Sequence, residues 1–381
     1  MKFASTRGGA RGVGFQEAMF AGLAPDGGLF VPEDPTPLDP GLLTKLRDRS
    51  FPSVSRMILA ELLEGDFPRD RIISAVDAAL DFMVPFVHLP GDLQILELFH
   101  GPTLAFKDVG ARIMARLVAA ASADEPGREI TVLTATSGDT GGAVASAFHG
   151  IDGVRVVVLF PLGRVSDYQQ RQFTTLGGNV EAVGVEGSFD DCQRMVKEAF
   201  LDPGLVESVG LTSANSINVG RFIPQLLYSF YAWAHQPEAC EPVFVVPSGN
   251  LGNLAAGLLA WRLGLPATGF IAATNANRVL PDYLESGVFE PRPSVRTVSS
   301  AMDVGNPSNL ERLGPILGSD SLSAPEILVA SAHTDEQTLG AIHEYFDRLE
   351  YVADPHTAVG LVAARRTAPP DWDGVPRIVL G

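Results

Sequence analysis

The chain has 381 residues, 46% hydrophobic and 8% aromatic, enough to bury a large core and to build two lobes rather than one. Its 28 Lys and Arg against 45 Asp and Glu leave a formal charge of −17, which disfavours nucleic acid and anionic membrane as partners. Any anionic substrate must then be drawn in by a local pocket of Arg, Lys and backbone N–H groups. Cys192 and Cys240 lie far apart without metal-ligand spacing, arguing against a disulfide framework or a metal site and for a reducing compartment. The opening stretch MKFASTRGGARGVGF has no apolar signal core and no later run approaches a membrane span, so the cytoplasm is the expected location.

In chain order, GLAPDGGLFVPEDPTPLDP is dense in Pro and Gly. LTKLRDRSFPSVSRMILAELL and RIISAVDAALDFM then carry helical spacing, which predicts a mostly helical region over 1–93. From there short β-branched runs alternate with helical patterns. QILELF, EITVLTA, VRVVVLF and VEAVGV mark a first α/β lobe over 94–235; VFVVP, TGFIAAT, EILVA and RIVL mark a second over 236–381. The alternation predicts two parallel-sheet lobes covered by helices on both faces. GVFEPRPSVRTVSSAMDVGNPSN lacks periodicity and reads as a long ordered loop near a site or a mobile surface loop.

Four motifs carry candidate chemistry. In HGPTLAFKDVG, Gly101-Pro102 breaks a strand and a helix starts near Phe106 to Asp108, placing Lys107 in its first turn. The helix dipole and the apolar Leu104, Ala105 and Phe106 disfavour an ammonium there and favour the neutral amine that Schiff-base chemistry needs. A lone lysine more often packs its stem on apolar surface with its head in water, so context must decide. TATSGDTGGAVASAF gathers hydroxyls and N–H groups of Thr136 to Thr140 at a strand-to-helix turn, an anion site or an ordinary connection. VVPSGNLGNLAAGLLAW repeats the arrangement with Ser248, Gly249, Asn250, Gly252 and Asn253; neither loop is a Walker or dinucleotide motif. In SANSINVGRFIPQLLYSFYAW, Ser216, Asn218 and Arg221 stand where they could face one anion, unless Arg221 only caps or pairs at a surface.

Together HGPTLAFKD, TATSGDTGGA, NSINVGRFIPQ, PSGNLGN and DPHTAVG occur in the order seen in threonine synthases, of the tryptophan-synthase-β-like group. STRG and GLAPDGGLFVPE resemble that family too, so the likeness covers nearly the whole chain. The resemblance implies the fold type II of pyridoxal-phosphate enzymes, with pyridoxal 5'-phosphate as cofactor and no metal. Lys107 would hold the cofactor covalently, and Ser248, Gly249, Asn250, Leu251, Gly252 and Asn253 would receive its phosphate. Thr357 would offer its hydroxyl to the pyridine nitrogen and leave that nitrogen largely unprotonated. Thr136, Ser137 and Thr140 would take the substrate carboxylate, and Ser216, Asn218 and Arg221 its phosphate, with Asn253 a further candidate there. Asp139, in the same turn as Thr140, stands where many relatives have Asn, so its contact is not carried over; it could orient Thr136 or Thr140. The activity implied is conversion of O-phospho-L-homoserine and water to L-threonine and phosphate, by a monomer or homodimer without effector control. A dehydratase or phospholyase of the same fold, or a non-catalytic vitamin-B6-binding protein, would share Lys107 and the SGNLGN loop; the N-terminal signature favours the first reading.

Overall fold

The computed structural model describes residues 1–123, 129–318, 326–367 and 369–381. Its contacts divide the chain into two units, each assembled from three separate stretches. Met1–Asp34, Pro52–Met83 and Phe99–Gln225 make the first; Pro35–Phe51, Val84–Leu98 and Leu226–Gly381 make the second. The sequence segments 1–93, 94–235 and 236–381 do not coincide with these units, because pairing and packing ignore chain order. Leu93–Leu96 is a strand of the second unit, hydrogen-bonded beside Arg377–Leu380. Phe51 packs its ring on Tyr228 and Tyr231, at centroid distances of 6.4 and 5.1 Å, within that same unit.

In the first unit a four-stranded sheet runs Val180–Val185, Val154–Pro161, Ile130–Ala135, Leu211–Ser213, with every pair parallel. Val154–Pro161 is rich in valine and mostly buried, as a strand covered on both faces must be. The N-terminal stretch adds something the periodicity did not reveal, a three-stranded antiparallel sheet of Val13–Gly14, Lys2–Ser5 and Phe30–Pro32. These strands are too short for alternation to stand out, so the expected helices of 1–93 are joined by a small sheet. The helices Phe51–Leu63 and Arg69–Ala79 fall in the two stretches with helical spacing, and Phe15–Ala21 is a further helix that spacing did not mark.

The second unit holds six strands in the order Leu328–Ala332, Gly269–Thr274, Val243–Pro247, Arg377–Leu380, Leu93–Leu96, Phe86–Leu89, parallel except for the last pair. Ile95, Val243, Val245, Ile271 and Val379 from this sheet share one core with Val359 and Leu361 of the helix Pro355–Arg366. Among the described residues no helix is long and apolar enough to cross a membrane.

The helix Pro355–Arg366 is capped by Asp354, whose Oδ1 accepts from the N–H groups of His356 at 2.8 Å and Thr357 at 3.3 Å. Burial alone would raise the Asp354 carboxyl, but His356 and the Thr357 hydroxyl bring it down to about 2. Asp354→Ala should cost about 0.5–2 kcal/mol at neutral pH, the range for a lost N-cap. Because the folded carboxyl titrates below its unfolded value of about 3.9, the contribution is complete above that pH and disappears as pH falls toward about 2. Urea midpoints of wild type and variant should therefore keep a constant gap from pH 7 to about pH 4 and converge between about pH 4 and pH 2; a gap that persists at about pH 2 would contradict the assignment.

Candidate active site

Lys107 opens the helix Lys107–Ser122, as expected, at the end of a tight turn. The turn is tied by Asp108, whose carboxylate accepts from the Thr103 N–H at 2.8 Å and the Thr103 hydroxyl at 2.6 Å. Asp108 is almost fully buried, and that burial pushes its carboxyl above the ordinary range. The surroundings of the amine differ from those expected. Leu104 is 62% exposed and forms no apolar wall; Lys107 Nζ instead lies 3.0 Å from Asp139 Oδ2 and 5.3 Å from the centroid of the Phe106 ring. An ion pair and an aromatic face stand where bare desolvation was anticipated.

Asp139 begins the helix Asp139–Phe148, directly after Gly138. Its second oxygen, Oδ1, accepts from Gln169 Nε2 at 2.5 Å. Ser137 is exposed and Thr140 partly so, leaving both available to a ligand. Thr136 is not. It is fully buried, its Oγ1 accepts from Gly138 N–H at 2.9 Å and Gly141 N–H at 2.8 Å, and it donates to the Gly138 carbonyl at 3.0 Å. The Thr136 hydroxyl is thus spent on shaping the turn rather than on a substrate carboxylate.

A similar correction applies to Asn218. Fully buried at the start of Val219–Phe222, it donates through Nδ2 to the carbonyls of Met19 at 2.8 Å and Ser213 at 2.7 Å, and accepts from Gly220 N–H at 2.7 Å. It holds this segment together and has nothing left for a phosphate. Arg221, 3% exposed, donates from Nη1 to the Ala214 carbonyl at 2.6 Å. The Val219–Phe222 helix packs on the helix that Lys107 opens, and Ser216 is partly exposed before it.

In the second unit, Ser248 closes the strand Val243–Pro247, donating its N–H to the Ala273 carbonyl and its hydroxyl to the Val246 carbonyl, both at 2.8 Å. Leu251 turns the chain with φ of +61° and the helix Gly252–Arg262 follows, so its first N–H groups lack intrahelical acceptors. Asn250 is anchored from outside the loop: its Oδ1 accepts from Ser308 N–H at 2.6 Å and its carbonyl from Asn309 Nδ2 at 2.9 Å. At Gly249 a side chain is excluded, because a Cβ would lie 2.7 Å from Met302 Cα. The later part of the aperiodic segment 287–309, at Ala301, Met302, Ser308 and Asn309, is therefore packed against this loop and supports it. Thr357, in contrast, is fully buried and its hydroxyl donates to Asp354, so it offers no free donor and no exposed surface to a pyridine nitrogen.

Comparison with known proteins places this geometry in a family. Residues 88–380 match the family described as "Pyridoxal-phosphate dependent enzyme", and residues 2–80 match "Threonine synthase N terminus". The threonine synthase of Serratia marcescens is 43% identical over 93% of this chain and 82% of its own length; that of Escherichia coli (strain K12) is 42% identical over 93% and 82%. The chain belongs to the threonine synthases. The crystal structure of threonine synthase from Escherichia coli superposes with a TM-score of 0.92 at 40% identity, covering all of this chain and 88% of that one. That of "PLP bound Threonine synthase from Brucella melitensis" gives 0.90 at 37%, with the same coverage. Maize serine racemase, at 18% identity and a TM-score of 0.62, shares the fold alone.

Threonine synthases are pyridoxal-phosphate enzymes, and the residues present fit that cofactor. Lys107, with its amine at a helix start, would hold the cofactor. The Ser248–Asn253 loop leads into a helix N-terminus and excludes a side chain at Gly249, and it would receive the phosphate. Sequence reading missed Gln169, Asn309 and Asp108, because each acts through a tertiary contact. The glycine at position 138 was the one available trace of Gln169.

Proposed function

We propose that the chain converts O-phospho-L-homoserine and water to L-threonine and phosphate, with Lys107 as cofactor-bearing lysine and base. The observation that carries this reading is the Lys107 amine at a helix start, held 3.0 Å from Asp139. When bound, pyridoxal phosphate supplies the electron sink that stabilises negative charge at the substrate's Cα and Cβ. The Ser248–Asn253 loop receives the cofactor phosphate on the N–H groups that open Gly252–Arg262. Ser137, Thr140 and the first N–H groups of Asp139–Phe148 hold the substrate carboxylate. Arg221 and Ser216 take the substrate phosphate, guanidinium against dianion, in a chain whose overall charge repels it. Held at both ends, the substrate presents its Cα and Cβ protons in turn to the Lys107 amine.

Incubation of the cofactor-loaded enzyme with O-phospho-L-homoserine tests the reading. Threonine and phosphate should appear in equal amounts. Release of 2-oxobutyrate as the main product would instead make the chain a dehydratase-type lyase.

A further inference from the structure

Gln169, on the helix Asp167–Thr174, was not singled out by any motif, yet it makes the shortest polar contact near Lys107. Its Nε2 donates to Asp139 Oδ1 at 2.5 Å while Asp139 Oδ2 accepts from Lys107 Nζ at 3.0 Å. Its own Oε1 accepts from the Ser166 hydroxyl at 3.0 Å, and turning the amide over would set that oxygen against the Asp139 carboxylate. Gly138 makes room for it: with φ of +148°, a Cβ there would lie 2.4 Å from Gln169 Oε1. A carboxylate has two equivalent oxygens and rotates freely unless one is occupied. The amide occupies one and thereby aims the other at the amine.

We propose that Gln169 is a positioning residue which holds the Asp139 carboxylate against the Lys107 nitrogen, where that carboxylate keeps a proton on the nitrogen when the cofactor is bound through it. The inference rests on the proposed role of Lys107. Asp108 is turned to Thr103, Arg112 reaches Asp81 at 2.7 Å, Arg221 Nη1 is on the Ala214 carbonyl, and Asp167, Tyr168 and Arg171 are exposed.

The test is the pH titration of the visible absorption band of the cofactor-loaded protein, followed without substrate. An anion facing the nitrogen favours its protonated form, so Asp139→Asn should move the midpoint down by about one to three pH units. Gln169→Met keeps length and packing but not the amide, and should move the midpoint in the same direction by a smaller amount, with an unchanged melting temperature. If Gln169→Met titrates like wild type while Asp139→Asn shifts, Gln169 merely fills space and the proposal falls. If Asp139→Asn itself leaves the midpoint in place, the carboxylate does not act on this nitrogen and the proposal falls again. Lys107→Ala separates the two levels. A visible band that persists in that variant and is still fixed by borohydride would bring down the lysine assignment, and the inference with it.

Discussion

Lys107→Ala should lose threonine formation by at least about 10²–10⁴-fold, the usual contribution of a positioned acid–base group, before the loss of covalent cofactor attachment is counted. The fold should survive. Lys107 is the first residue of its helix, its turn is tied by Asp108 to Thr103 rather than by the lysine, and alanine is the best helix former available. The variant does leave Asp139 without its ammonium, but Gln169 still donates to that carboxylate and both side chains are partly solvated. Assay of threonine release, with circular dichroism as the control on folding, checks this. Turnover at the wild-type rate by a folded Lys107→Ala protein would end the proposed mechanism.

Arg221→Ala should lower kcat/KM for O-phospho-L-homoserine by about 2–4 kcal/mol, the scale for removing one member of a desolvated charge pair. Arg221→Lys should be impaired too, since an ammonium cannot form the two parallel hydrogen bonds that a guanidinium offers a phosphate. Arg221 is 3% exposed and also bonds the Ala214 carbonyl, so a structural loss must be told apart from a recognition loss. A slow elimination on serine, which has no phosphate, provides that control. Loss confined to the phosphorylated substrate supports the assignment; an equal loss on both substrates means that Arg221 supports the fold instead.

The large strands were legible because runs such as VRVVVLF and VFVVP are rich in valine, and a parallel strand buried on both faces has few other compositions open to it. Lys107 was legible because a Gly-Pro break, a lysine and a helical pattern fall in one short stretch. The polar residues of the Gly-rich turns were harder to read. Thr136 and Asn218 have the side chains a ligand would want, but a tight turn has its own unsatisfied N–H and C=O groups, and the nearest side chain meets those first; the Thr357 hydroxyl is taken instead by the capping carboxylate of Asp354. Ser137, with an exposed hydroxyl one residue from Thr136, shows how little local sequence distinguishes the two outcomes. Gln169 could not be read at all, since its partner is thirty residues away and nothing in DYQQRQFT marks it.

The strand order of the six-stranded sheet has a consequence for biosynthesis. Arg377–Leu380 sits inside the sheet, with Val243–Pro247 on one side and Leu93–Leu96 on the other, although a ribosome makes it long after both. Until it arrives, those two apolar strands each present an open edge, and the contact that joins them spans most of the chain. Nascent protein therefore has to keep Leu93–Leu96 from pairing with anything else throughout the synthesis of the intervening residues. That interval is when a chaperone has most to do and when misassembly into aggregates competes best with folding.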